Sequence, residues 1–201
     1  MSFEVLGKIY ESIIIALAGK KIAVLGARGA GKSTLLHFLQ NESSQPPNEQ
    51  TTHGERKEKT IYTAADLEVK LKSTFDLPGG EHAINQWKKL HDKSDYVIYL
   101  INSKDIEPKR VLSDLQSISS WQNEIEEKPK VIIAVTHMDL NAEYCALKGS
   151  NRGEFYDKYI TGLAHCTYPL SHSTKICIGA LNNETNAREL IQRIFRELLN
   201  G

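Results

Sequence analysis

The chain carries no excess charge of either sign. Its 25 Lys and Arg offset 25 Asp and Glu across 201 residues, so the broad basic footprint of a nucleic-acid binder is missing. Cysteine is scarce, and Cys145, Cys166 and Cys177 share no CxxC spacing. That argues against a disulfide framework or a zinc site and fits reduced thiols in a cytoplasmic protein. No apolar run approaches the roughly 18 residues that a membrane-spanning helix needs. The opening "MSFEVLGKIYESIIIALAGKK" makes a poor secretory signal, because Glu4 and Glu11 interrupt it and its basic pair follows the apolar run. Ser2 stands where myristoylation requires glycine, and "ELLNG" at the end offers no cysteine to prenylate. The expectation is a chain without a covalent lipid anchor.

What is present is ordinary globular composition, 40% hydrophobic and 25% charged, enough for one sizeable core. Phe3, Leu6, Ile9, Ile13 and Leu17 recur at helical spacing up to Gly19. This predicts an amphipathic helix over 1–19, ahead of a domain over 20–201. Its apolar face either packs on that domain or, through residues 3–18, meets a membrane surface or a partner.

Downstream, "KIAVLG" (21–26), "YVIYLIN" (96–102), "VIIAV" (131–135) and "KICIGA" (175–180) read as strands buried on both faces. Helices are expected at 33–41, roughly 82–92, through Leu112, Leu115, Ile118 and Trp121, near 153–164, and at 185–199. Residues 42–58 are polar and proline-bearing, and read as a mobile loop. Alternation over 59–76 on either side of Ala65 and Asp66 predicts two antiparallel strands. Strands alternating with helices imply an α/β fold. We expect a six-stranded, mostly parallel sheet with one antiparallel edge strand, helices on both faces and an extra N-terminal helix.

The most informative stretch is "GARGAGKST", comprising Gly26, Ala27, Arg28, Gly29, Ala30, Gly31, Lys32, Ser33 and Thr34. It satisfies G-x-x-x-x-G-K-[ST] between a strand and a helix, the context that pattern requires. Glycines let successive backbone N–H groups turn inward around phosphate oxygens. The helix beginning there adds its positive end. Lys32 reaches the terminal phosphates, and the Ser33 hydroxyl can coordinate Mg²⁺.

Three further stretches close predicted strands, where such sheets bind ligands. In "DLPG" (76–79), Asp76 can hold Mg²⁺ and the Gly79 N–H can face a γ-phosphate. In "THMD" (136–139), Asp139 can accept hydrogen bonds from the N1 and N2 edge of guanine, which adenine cannot donate. In Gly179-Ala180-Leu181, the Ala180 N–H can meet guanine O6. Each is weak alone, and their order and placement together are strong.

The set resembles the small GTPases, a P-loop G-domain superfamily, over about residues 20–200. The N-terminal helix and "DLPGGEHAINQW" are similar to the Arf-like and signal-recognition-receptor-subunit branch. The resemblance implies GTP and GDP binding with Mg²⁺, hydrolysis of GTP, two mobile switches, and partner binding governed by the γ-phosphate. Effector or regulator contacts would then fall at 42–58 and 79–92. It also implies that a threonine of "TTHG" closes on the metal, Thr52 by the T-x-G pattern with Thr51 adjacent.

Departures from the family pattern bear on the chemistry. Thr136 and His137 replace the first two residues of N-K-x-D, leaving guanine preference on Asp139, with the His137 ring able to cover the base. Arg28 either obstructs an arginine finger, supplies that charge itself, or faces solvent. Gly80 stands where Ras-type enzymes carry the water-orienting glutamine. Glu81 or His82 takes that task, or neither does and turnover is slow. Two rivals stay open: a hydrolysis-deficient GTP-binding scaffold or dimerisation module, and a P-loop ATPase or kinase. The lone histidines at 37, 91, 165 and 172 have no paired ligand spacing, so no metal beyond Mg²⁺ is expected. Residues 140–173 are long for one connection, as either a partner surface or a tolerated insertion.

Overall fold

The computed structural model describes residues 21–41, 55–57, 60–64, 67–71, 73–76, 84–147, 152–170 and 174–199. The expected N-terminal helix lies outside them. Along the chain run β1 (Lys21–Gly26), α1 (Lys32–Asn41), β2 (Glu55–Lys57), β3 (Thr60–Ala64), β4 (Leu67–Leu71) and β5 (Ser73–Asp76). Then come α2 (Ile84–His91), β6 (Tyr96–Asn102), α3 (Pro108–Glu124), β7 (Lys130–Thr136), α4 (Ala142–Ala146), α5 (Arg152–Thr167), β8 (Lys175–Ile178) and α6 (Glu184–Leu199). Short 3-10 turns occupy Met138–Leu140 and Tyr168–Leu170.

The main sheet has the order β2-β5-β1-β6-β7-β8. Among the described residues its four parallel pairings are β5 with β1, β1 with β6, β6 with β7 and β7 with β8. At one edge β2 runs antiparallel to β5, with Arg56 opposite Phe75. The α/β class that the alternation implies is the class observed.

Alternating side chains sort the core into two layers, as the strand period of two requires. Ile22, Val24, Ile98, Leu100, Ile132 and Ala134 face α1 and α6, packing on Phe38, Leu39, Leu190 and Ile194. Ala23, Leu25, Val97, Tyr99, Val131 and Ile133 face the other way, onto Trp87, Leu115, Ile118, Trp121 and Phe155. Strands buried on both sides explain why β1, β6 and β7 read as continuous apolar runs.

Two expectations are corrected. The loop read over 42–58 contains strand β2 at its end, and β2 is the antiparallel member of the main sheet. The pair of strands read over 59–76 becomes three. β3 and β4 form a separate two-stranded sheet, while β5 joins β1 in parallel. Alternation marks a half-buried strand but does not say which neighbour it pairs with. Within the long connection 140–173, helices α4 (Ala142–Ala146) and α5 (Arg152–Thr167) occupy most of the described residues.

Strand β1 lies between β5, which comes later in the chain after α1 and strands β2 to β4, and β6, on its other side. Connections therefore diverge at the carboxyl end of β1, which opens a crevice there. The glycine-lysine loop emerges at that point.

Candidate functional site

The loop joining β1 to α1 has a backbone that only glycine accepts readily. Gly26, Gly29 and Gly31 have φ of 140°, 77° and 89°, where a side chain collides with its own main chain. Gly26 has a second reason: a Cβ there would stand 2.4 Å from the Leu100 carbonyl oxygen on β6. At Gly31 a Cβ would meet Leu181 at 3.2 Å and His137 at 3.7 Å. The three motif stretches thus converge on one glycine: loop 26–34, the end of β7 and the end of β8.

Lys32 begins α1 and is buried, with 6% of its surface exposed. Its ammonium donates to the carbonyls of Gly26 at 3.0 Å and Ala27 at 2.9 Å. A polyphosphate held in the loop would accept charge-assisted hydrogen bonds from the same ammonium. No acidic residue occupies the first turn of α1, so the helix's positive end is left for an anion. Ser33 and Thr34 follow, both half-buried, and Arg28 is exposed at the crest.

Thr136 closes β7 with no exposed surface. Its hydroxyl lies 2.9 Å from the Ala30 carbonyl, 3.2 Å from the Ile101 carbonyl and 2.7 Å from His137 Nδ1. A hydroxyl has one proton. With Nδ1 protonated, the ring donates to Thr136, and Thr136 donates to the carbonyl of Ala30. Thr136 therefore fastens the loop that follows β7 to the glycine-lysine loop. His137 has a left-handed backbone, φ 59° and ψ 26°, the one non-glycine positive φ among the described residues. Holding it there costs ~1 kcal/mol or more, and it folds the ring back towards Gly31. Burial lowers the His137 pKa below the usual histidine value and Lys104 adds to that, while Asp139 opposes it. The ring is neutral at physiological pH.

Asp139 sits in the turn after His137, half-exposed. Two contacts fix that turn: Met138 N–H donates to the Gly179 carbonyl at 3.1 Å, and the Cys145 thiol donates to the Asp139 carbonyl at 3.1 Å. Gly179 N–H in turn donates to the Val135 carbonyl at 2.9 Å. The Asp139 and Gly179-Ala180-Leu181 stretches are thereby held as one unit, with Gly179, Ala180 and Leu181 buried. A Cβ at Gly179 would stand 3.0 Å from Leu190 of α6.

Asp76 ends β5, the strand beside β1, so its backbone lies next to the crevice. Thr51, Thr52, Gly79, Gly80, Glu81 and His82 lie outside the described residues. Among the described residues no three His, Cys, Asp or Glu side chains cluster as metal ligands. The Ser33 hydroxyl at the start of α1 is an oxygen donor on the loop. A single such donor fits Mg²⁺, which keeps several waters and takes one or two protein oxygens beside phosphates.

Asn102 escaped the sequence reading. It closes β6 and donates to the Gly29 carbonyl at 3.2 Å. Its position at a strand end was a signal, but its partner depends on how the loop turns back.

A glycine loop with its buried lysine, clasped to a carboxylate-bearing turn at the switch point of a parallel sheet, defines a P-loop G domain of the small-GTPase class. Residues 6–151 match the model of the ADP-ribosylation factor family, and the chain belongs to that family. Similar curated proteins include the small COPII coat GTPase SAR1 of Nicotiana tabacum. It is 36% identical over 114 residues, 51% of this chain and 50% of that protein. SAR1 of Giardia intestinalis is 33% identical over 98 residues, 47% and 48% of the two chains. The chain spans about half the length of the curated relatives it matches. Among solved structures, Methanosarcina barkeri Roco2 RocCORdC bound to GDP aligns with a TM-score of 0.53 at 23% identity. The match covers 91% of this chain and 50% of that one, and supports the fold.

Proposed function

We propose that the chain is a guanine-nucleotide switch that binds GTP and GDP with Mg²⁺ and hydrolyses GTP slowly. One observation carries this reading: Thr136 on β7 bonds the phosphate loop at Ala30 while the next turn presents Asp139. This supports a phosphate cradle and a guanine-selecting carboxylate held at a set separation.

In this reading the N–H groups of residues 26–34 surround the phosphates, and Lys32 meets their terminal oxygens. Ser33, Thr52 and Asp76 hold Mg²⁺, and the Gly79 N–H faces the γ-phosphate. Asp139 and the Ala180 N–H select guanine between His137 and the Gly179–Leu181 turn. Mg²⁺ held by these residues would supply charge neutralisation at the phosphates. Catalysis is mostly positioning and charge neutralisation, with little covalent work for the protein. Glu81 or His82 orients the attacking water. Loss of the γ-phosphate releases 42–58 and 79–92, the segments read as partner-binding. Residues 3–18 supply peripheral membrane contact for a cytoplasmic protein. No helix among the described residues is long and apolar enough to cross a membrane.

Arg28 at the loop crest and Gly80 at the glutamine position favour a second reading, a GTP-binding scaffold that scarcely turns over. Two measurements separate the readings: the nucleotide that co-purifies with the chain, and single-turnover hydrolysis of GTP in Mg²⁺ buffer. Slow but measurable GDP formation supports the switch, and bound GTP that persists unhydrolysed supports the scaffold. A rate as fast as that of a partner-assisted GTPase contradicts both.

A further inference from the structure

We propose that Asn102 is a positioning residue of the phosphate loop, holding the Gly29 carbonyl turned away from the nucleotide. This rests on the nucleotide-binding reading above.

A phosphate cradle works only while its N–H groups face inward, so its carbonyls must face outward. Packing enforces this at both ends of the loop, where Gly26 abuts Leu100 and Gly31 abuts Leu181. The crest is different. A Cβ at Gly29 would meet nothing within 4 Å, the residue is exposed, and its φ of 77° is one that glycine leaves and enters freely. Side-chain packing does not fix the peptide there.

Asn102 does so by hydrogen bonding. Its amide nitrogen donates to the Gly29 carbonyl at 3.2 Å, while its amide oxygen accepts from Lys104 N–H at 3.0 Å. These two contacts set the amide orientation, since the flipped group would put oxygen against oxygen and NH₂ against N–H. The Lys104 contact is an Asx-type turn that keeps the side chain aimed at the loop.

The sheet register completes the device. Asn102 is the Cα partner of Thr136 across β6 and β7. The Ser103 N–H donates to the Thr136 carbonyl at 3.1 Å and ties the two strand ends together. Neighbouring strand ends thereby grip successive carbonyls, Asn102 that of Gly29 and Thr136 that of Ala30. One clamp belongs to the base-reading loop. The other belongs to the phosphate end alone.

That division supplies the test. In the full chain, Asn102→Ala and the near-isosteric Asn102→Asp both remove the donor, and Asn102→Asp keeps the acceptor for Lys104 N–H. Release of a fluorescent GDP analogue should quicken roughly 3- to 10-fold in each. The preference for GDP over IDP, which reports the base end, should stay at the wild-type ratio. Amide hydrogen exchange at 28–31 in the nucleotide-free chain should also speed up, with the melting temperature little changed. Should Asn102→Ala fail to fold, Asn102→Asp carries the comparison. Release and exchange rates within twofold of wild type overturn the proposal. So does faster release with a matching loss of GDP-over-IDP preference, because that is general loosening of the strand ends. If wild type binds neither nucleotide, the nucleotide-binding reading fails, and unchanged exchange at 28–31 would count separately against Asn102.

Discussion

Gly31 makes the residue-scale logic measurable. Its φ of 89° and the 3.2 Å approach that a Cβ would make to Leu181 mean that Gly31→Ala strains the backbone and shifts its neighbour together. We expect GDP affinity to fall by about tenfold or more, a loss of ~1.4 kcal/mol or more, read by calorimetric titration. Unchanged affinity would mean the loop does not wrap the phosphates. Thr136→Val removes a hydroxyl that bridges two loops within the core and leaves the Ala30 carbonyl and the His137 ring short of a partner. A loss of ~1–3 kcal/mol in urea unfolding should accompany faster nucleotide release. Because the contact links the two loops, GDP-over-IDP preference should fall as well, in contrast to the Asn102 variants. Lys32 and Asp139 stand out in the sequence because G-x-x-x-x-G-K-[ST] and the THMD turn have spacings of their own. Asn102 does not, since an asparagine at a strand end has many uses and only the sheet register sets it beside Thr136.

At the scale of elements, α2 shows how a helix can be anchored and yet imperfectly satisfied. Trp87 is 2% exposed and meets Tyr99 edge-on, with ring centroids 6.3 Å apart. It packs this helix on the sheet rather than facing a partner. Among the described residues its buried indole N–H has no hydrogen-bond partner, nor has Nε2 of His91 one turn later. Burying an unpaired polar group costs ~1–3 kcal/mol. Trp87→Phe, which discards the orphan along with some area, should therefore lose less than ~1.5 kcal/mol in chemical denaturation. Trp87→Ala should lose ~3–5 kcal/mol. Similar losses for the two would show that the N–H is satisfied in solution.

The strands of the main sheet were readable from their apolar runs, and the long helices from their spacing. Strand β2 was not, because three residues ending a polar segment, Glu55–Lys57, carry no pattern of their own and become a strand only by pairing with β5. The same holds for β3 and β4: alternation revealed extended chain, but leaving the main sheet is a tertiary outcome. Helix α5 was readable in part, since Phe155, Tyr159 and Leu163 recur every four residues, while its ends at 152 and 167 have weaker signals.

For the whole molecule, acid is the informative perturbation. His91 has no exposed surface and His137 is half-buried, and burial lowers both pKa values despite carboxylates beside each. Asp92 partly offsets the effect at His91 through its 3.0 Å contact with Nδ1. A histidine kept neutral in the fold protonates more readily once unfolded, near pH 6.5. Stability from these sites is therefore full above about pH 6.5 and falls as pH drops through that value towards the lower folded pKa. The melting temperature should decrease from pH 8 to 5.5, and His91→Phe should flatten the decline. A melting temperature that rises on acidification would contradict the sign.

The same whole-molecule view links the two ends of the site. The glycine-lysine loop leaves β1 and the turn bearing Asp139 leaves β7, with β6 between them, so the sheet sets the separation of the two loops. Under the proposed function, nucleotide choice depends on Asp139. The most direct test is titration of the nucleotide-free chain with GDP and with ATP in magnesium buffer, in wild type and Asp139→Asn. The account predicts GDP binding far tighter than ATP in wild type, with that preference reduced at least about tenfold in the variant. No measurable GDP affinity, or a GDP-over-ATP preference unmoved by Asp139→Asn, would contradict it.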